Sequence, residues 1–384
     1  MKMLVLGAGL QGSACAYCLL KDTEVTEVRI ADLHVDKLPK FLAKAAGADK
    51  KLKPLQLDVR DRAAVLAAMK GVDAVMSAIP YYFNFEMAEC AVEAGVHFSD
   101  LGGNTEIVSR QRTLDAEATK KKISVMPDCG LAPGMVNILA QRGIDQLDTV
   151  DAVRIYVGGL PQHPSGPLNY QIVYSLEGVL DYYTTLSWVL RDGKRAQVKA
   201  LSELEPIDFP APIGTLEAFH TAGGLSTMAF RYEGKIPTME YKTLRYPGHA
   251  RIMEGIRELG LLEQEPIEVN GLRVSPRAVA VAAMTPRLTM PESADLVALR
   301  VIVSGTKAGK PKTFQWDLVD RMDPKTGISA MERTTGFSLA ITGLTQVRGK
   351  VKALGVRTPD EAMPAEPYMA ALKEQGVVIK EQSR

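Results

Sequence analysis

Along the first 130 residues, short apolar runs at 3–6, 27–31, 52–57, 74–78, 97–101 and 123–127 alternate with stretches such as 11–20, 62–69 and 86–94, where apolar positions recur at helical spacing. Runs this short, bounded by turn residues, predict strands buried on both faces, and the stretches between them predict helices. The rhythm implies a parallel sheet covered by helices, here a doubly wound Rossmann sheet of six strands, and so an α/β fold. At 128–135 the chain reads Asp-Cys-Gly-Leu-Ala-Pro-Gly-Met, dense in helix and strand breakers. Beyond it the texture changes. Strand-like segments appear at 152–157, 296–303 and 313–318, a Gly/Pro-rich loop is expected at 158–166, and helical patterns close the chain at 336–347 and 368–375.

The chemistry begins at the end of the first strand. Gly7, Gly9 and Gly12 form G-x-G-x-x-G, with Leu10 and Gln11 between the last two, and Asp32 closes the next strand twenty residues beyond Gly12. Strand, glycines, helix, strand and acid in this order predict a dinucleotide site. The first glycine permits a tight turn, the second lets backbone approach a pyrophosphate, and the third lets the helix lie close to its strand. An acid at position 32 accepts ribose hydroxyls and repels a 2′-phosphate, which favours NAD. Open sheets bind ligands beyond the carboxyl ends of their strands, so the other strand ends matter too. Asp58 and Val59 are expected beside the adenine, Ala78, Ile79 and Pro80 along the second ribose, and Asp100 and Asp128 on the nicotinamide side.

Composition removes several alternatives. Forty-six basic residues against 45 acidic ones give no electrostatic footprint for nucleic acid, and no uncharged apolar stretch is long enough for a membrane helix. With no leader-like segment before the first strand, a cytoplasmic location is expected. Four cysteines in 384 residues do not make a disulfide framework, and Cys15-x-x-Cys18 reads as small residues packing on the first helix. The five histidines lack metal-ligand spacing, so no metal is expected.

Six further segments carry a resemblance: Tyr81-Tyr82-Phe83-Asn84, Asp100-Leu101-Gly102-Gly103, Leu131-Ala132-Pro133-Gly134-Met135, Ser175-Leu176-Glu177-Gly178, Glu217-Ala218-Phe219-His220-Thr221, and Glu240-Tyr241-Lys242-Thr243-Leu244-Arg245-Tyr246-Pro247-Gly248-His249. With them, nearly the whole chain resembles the saccharopine dehydrogenase-like reductases, and among those the lysine 6-dehydrogenases. The resemblance implies a Rossmann domain at 1–130, an inserted α/β substrate domain with a mixed sheet at 131–335, and C-terminal helices at 336–384 that return to the first domain. It also implies a homo-oligomer, dimer or larger, and oxidative deamination of the lysine side chain with NAD as hydride acceptor. Ile79-Pro80 and the 158–167 segment depart from the pattern and bear on substrate choice.

That reaction needs a proton acceptor for the amine and for the attacking water. His220 suits both by its ordinary pKa, with Glu217, Glu177 and Asp128 as carboxylate rivals. Arg245 is expected to grip the α-carboxylate through two parallel bonds, the alternative being a structural ion pair with Glu240. Glu240 or Glu177 would hold the α-ammonium. Tyr81 and Tyr246 would line the aliphatic chain, and Thr221 is a further substrate-binding candidate. A reductase of the saccharopine or carboxynorspermidine type, acting on a secondary amine, remains open and would need a second basic anchor, with Arg154, Arg231 and Lys242 as candidates. An NAD-binding sensor without turnover is the alternative of another class.

Overall fold

The computed structural model describes residues 1–45, 47–290 and 292–384. Six strands, β1 (Lys2–Leu6), β2 (Glu27–Asp32), β3 (Leu52–Gln56), β4 (Ala74–Ser77), β5 (His97–Asp100) and β6 (Ser124–Met126), pair in parallel in the order 6-5-4-1-2-3. That is the doubly wound order expected from the alternating pattern. The central strands β1 and β4 are buried on both sides because each face packs its own core. One core runs beneath the helix Leu10–Lys21 and the other beneath the helices Arg62–Met69 and Asn84–Ala94.

The second domain is built on a nine-stranded mixed sheet. Its strands are β7 (Thr149–Pro161), β8 (Ser187–Arg191), β9 (Lys194–Val198), β10 (Glu205–Phe209), β11 (Gly214–His220), β12 (Thr238–Arg245), then, after a separate hairpin of β13 (Ile267–Val269) and β14 (Leu272–Val274), β15 (Asp295–Lys307) and β16 (Lys310–Arg321). Two short strands complete the count. Strand β17 (Gly355–Val356) extends the first sheet beside β6, and β18 (Lys380–Ser383) joins the second sheet beside β16.

Two details differ from the sequence reading. Gly158 and Gly159 are not in a loop but inside β7, where a side chain on either would run into Leu244 or Met331. Close packing, not a turn, explains glycine there. The last segment also divides its loyalty: the helix Ala330–Val347 lies across β4 and β5 and against the first helix, whereas the terminal strand returns to the second domain. Phe337, Leu339 and Ile341 of that helix share one continuous core with Val5 and Met76 of the first sheet and Val301 and Trp316 of the second. The long helix thereby joins the two sheets through one core.

Candidate functional site

The glycine turn has the shape that a dinucleotide requires. Gly7 takes φ +93°, and a Cβ there would meet the Ala78 carbonyl at 2.7 Å, while a Cβ on Gly12 would overlap the Gly7 carbonyl. Around Gly9 nothing lies within 4 Å of where a Cβ would stand, so a ligand can approach its backbone. Gly9 caps the first helix without a side-chain bond, so first-turn N–H groups of Leu10, Gln11 and Gly12 have no intrahelical acceptor and point at whatever binds. Asp32 braces this turn, accepting from Ala8 N at 2.7 Å and His34 N at 3.0 Å. Ala78, Ile79 and Pro80 follow β4 at the same edge. Asp58 lies one strand away and pairs with Arg60 at 2.6 Å, which holds its carboxyl down at about 2; Val59 packs against the second core. These residues fit a dinucleotide along the carboxyl edge of the sheet.

Beyond that edge a cavity of about 200 Å³ lies between the domains. Gln11, Leu101, Gly102 and the 130–133 loop line it from the first domain, Val157, Thr221, Tyr241, Thr243 and Arg245 from the second sheet, Tyr174 and Tyr182 from one side, and Met331 and Thr335 from the long helix. Strand β12 explains the selection. Successive side chains alternate across a sheet, so Tyr241, Thr243 and Arg245 face the cavity while Glu240, Lys242 and Leu244 face away.

Among the described residues Arg245 is the one charged side chain on this lining. It is 3% exposed, its guanidinium lies 4.8 Å from the centre of the Tyr170 ring, and Nη1 donates to the Leu244 carbonyl at 2.9 Å. Nε has no partner, and among the described residues no carboxylate pairs with the group. A short relay orients it. His249 Nδ1 donates to the Leu168 carbonyl at 3.0 Å, which leaves Nε2 to accept from the Tyr183 hydroxyl at 2.9 Å and turns the Tyr183 oxygen toward Arg245. Burial first, and then the Arg245 charge, push His249 down to about 3, so this imidazole is neutral.

Several expected site residues stand elsewhere. His220 pairs with Lys242 in the sheet register and so shares the face turned away from the cavity. There its Nδ1 is 3.2 Å from the Tyr241 carbonyl and its Nε2 is 3.1 Å from Glu203. Glu240 is on the same face, paired with Arg154 at 3.3 Å and Arg191 at 2.9 Å rather than with Arg245. Glu203, His220 and Glu240 are close enough to suggest a metal centre, but Arg191 already lies 2.7 Å from Glu203 and 2.9 Å from Glu240 and supplies the positive charge. Glu217 accepts from Gly248 N at 2.9 Å and Ala250 N at 2.6 Å, capping the helix His249–Glu258. Glu177 is an exposed first-turn residue of the helix Leu176–Thr184, and Tyr246 is core, donating to the Pro161 carbonyl at 3.1 Å. Tyr81 is 38% exposed in the turn after β4.

Asp100 and Asp128 end β5 and the segment after β6, yet both are sealed from the cavity. Asp100 accepts from Gln111 Nε2 at 2.7 Å, and Asp128 accepts from Gly103 N at 3.1 Å and from the Ser226 hydroxyl. Burial raises Asp100 to about 6 and Asp128 to about 7. Neither is among the residues that line the cavity. Of the expected substrate residues, Arg245 and Thr221 line the cavity, together with Gln11 from the glycine turn. Tyr174, Tyr182, Tyr241 and Thr243 were missed, although the odd-numbered positions of β12 were readable from strand alternation around Arg245.

The profile of the saccharopine dehydrogenase C-terminal domain matches residues 130–377, and that of the NADP binding domain of the same enzymes matches residues 3–126. The chain belongs to the saccharopine dehydrogenase family. Its first domain is thereby an NAD(P)-binding domain. Mouse mitochondrial alpha-aminoadipic semialdehyde synthase is 26% identical over 275 residues, 69% of this chain but only 29% of the mouse protein. Carboxyaminopropylagmatine dehydrogenase of Synechocystis is 22% identical over 98% of this chain and 96% of its own length. In structure, the apo saccharopine dehydrogenase (L-Glu forming) of Saccharomyces cerevisiae superposes with a TM-score of 0.80 at 21% identity, over 100% of this chain and 99% of that one, which establishes the two-domain fold. Among the described residues no helix is long and apolar enough to cross a membrane.

Proposed function

We propose that this chain oxidises the side-chain amine of L-lysine with NAD, giving 2-aminoadipate 6-semialdehyde, ammonium and NADH. The observation that carries this reading is Arg245, the one cation on the cavity lining, with no carboxylate partner among the described residues. A buried guanidinium without an anion is costly, and a ligand carboxylate relieves that cost. One guanidinium matches one carboxylate. A substrate that joins two amino-acid skeletons brings more, and the other candidate anchors are engaged elsewhere: Arg154 with Glu240, Lys242 with Glu205 at 2.8 Å, Arg231 with Asp360 at 3.0 Å. About 200 Å³ also suits a single amino acid.

When bound, the dinucleotide supplies the hydride acceptor. The atoms balance with water providing the aldehyde oxygen, nitrogen leaving as ammonium and one proton released. Arg245 holds the α-carboxylate over Tyr170. Val157, Leu101, Leu131 and Met331 pack the methylene chain, and the hydrogen-bonded hydroxyls of Thr221 and Thr243, 2.7 Å apart, offer polar contacts without charge. No carboxylate lines the cavity among the described residues. The lining thus favours the neutral amine, the form that gives up hydride. Asp32, set to receive ribose hydroxyls, supports NAD over NADP.

A second reading rests on the match to the Synechocystis enzyme along nearly its full length: a dehydrogenase for a secondary amine bearing one carboxylate. Purified protein with NAD or NADP and a panel of amino acids, followed by NAD(P)H absorbance, tests both. Turnover of lysine alone supports the first reading. Reductive turnover of an amine only when a keto acid or aldehyde is added overturns it in favour of the second.

A further inference from the structure

We infer that Asp128 is a clasp that sets the spacing of the two loops closing the substrate cavity, a positioning residue for the reaction proposed above and not its proton acceptor. The segment that carries it follows β6 in the first domain, where Asp128 adopts φ +65° and is 1% exposed. One carboxylate oxygen receives the N–H of Gly103, in the loop after β5; the other receives the hydroxyl of Ser226, in the loop between β11 and β12 of the second domain. Each held loop borders the cavity, through Gly102 on one side and Thr221 and Ala222 on the other. A Cβ on Gly102 would overlap the Asp128 carboxylate, so the residue between the acid and the cavity has to be glycine.

The same junction continues outward. A Cβ on Gly103 would lie 2.7 Å from the Tyr182 hydroxyl, and one on Gly223 would lie 3.2 Å from the Gly103 carbonyl. The 102–103 loop therefore fills the space between Tyr182 and the 223–226 loop with no side chain to spare. Asp100, whose Oδ1 accepts from Asp128 N at 3.3 Å, supports the acid from beneath. Asp360 and Tyr182 are the other titratable groups whose charge bears on it. Both oxygens of Asp128 are occupied and face loop backbone and a serine, so no path leads from them to a reacting amine.

Replacement with asparagine separates the two roles. In Asp128→Asn the amide oxygen still accepts from Gly103 and the amide nitrogen donates to the Ser226 oxygen, so the clasp survives and the ionisable group is lost. Asp128→Asn is expected to keep kcat within about threefold, while Asp128→Ala lowers kcat about 100-fold, the cost of a shift near 1 Å in a reacting geometry. Ser226→Ala should fall between them, and KM for NAD should move little in any of the three. An asparagine variant as inactive as the alanine one would make Asp128 a proton acceptor and overturn the proposal. Amide hydrogen exchange at Gly103 reads the clasp independently of turnover: protection is kept in Asp128→Asn and lost in Asp128→Ala, and unchanged protection in the alanine variant would also refute it. Failure of the wild type to oxidise lysine would sink the proposed substrate and leave this exchange result standing.

Discussion

Replacing Arg245 with methionine removes the guanidinium and keeps most of its packing volume. In the free protein the cation is 3% exposed, stacked 4.8 Å from the Tyr170 ring and paired with no carboxylate of the described residues. Its cation–π contact is worth about 2 kcal/mol when desolvated, against a desolvation penalty of several kcal/mol for a buried ion. The free Arg245→Met protein should therefore melt at or above the wild-type temperature. Binding is affected in the opposite sense. Truncating one partner of a buried charge pair costs about 2–5 kcal/mol, so kcat/KM for lysine should fall about 30- to 4000-fold at 1.4 kcal/mol per tenfold, with KM for NAD little changed. Calorimetry adds a second reading. With NADH bound so that no turnover occurs, lysine at 100 times its Kd should stabilise the wild type by about 2.7 kcal/mol and leave the variant's melting unmoved. A variant that melts well below the wild type, or loses lysine and NAD affinity alike, would show that Arg245 is an ordinary structural cation.

Three other outcomes follow from the same geometry. Asp32→Ala, which removes the acceptor of Ala8 N and the proposed acceptor of the ribose, should weaken NAD more than NADP in paired kcat/KM measurements; a wild type that already prefers NADP would remove Asp32 from cofactor selection. Burial raises Asp128 to about 7 and Asp100 to about 6, above about 3.9 in the unfolded chain. The folded state thus binds protons more readily than the unfolded one between about pH 4 and 7, and stability falls as pH rises through that window. Asp128→Asn lacks its share of this loss, so it should melt with the wild type near pH 4 and above it at pH 8; a gap constant with pH would contradict the assignment. Glu217→Ala should cost about 1 kcal/mol of stability as a lost helix cap and His220→Asn should disturb only the charged face, both with kcat for lysine nearly intact in steady-state assays; a large drop in kcat for either would return it to the reaction.

The contrast between Glu217 and Arg245 shows where reading the chain reached its end. Both lie in segments with strong family character, and the residues pair directly across β11 and β12. One caps a helix and the other lies bare in a cavity, a difference set by which helix N-terminus happens to pack nearby. His220 failed for a simpler reason. Its position relative to Thr221 and Arg245 depends on strand register, and a shift of one residue exchanges faces. The glycine turn needed less such information, because the close approach of Gly12 to the Gly7 carbonyl lies within the first strand and helix, although Gly7 also meets Ala78 after β4.

By itself the sequence determined the parallel doubly wound sheet, the dinucleotide turn at Gly7, Gly9 and Gly12, and the presence of Asp32 at the next strand end. Those follow from short-range periodicity and from steric demands that only glycine meets. The tertiary structure alone decided that Arg245 has no carboxylate partner among the described residues, that Glu240 and His220 face away from it, and that Asp128 ties two loops instead of facing the cavity. Charge pairing and burial depend on residues distant in sequence, from the His220–Lys242 register pair to Asp128 and Ser226 in different domains, brought together by sheet register and domain packing, and a desolvated group takes its chemistry from those neighbours.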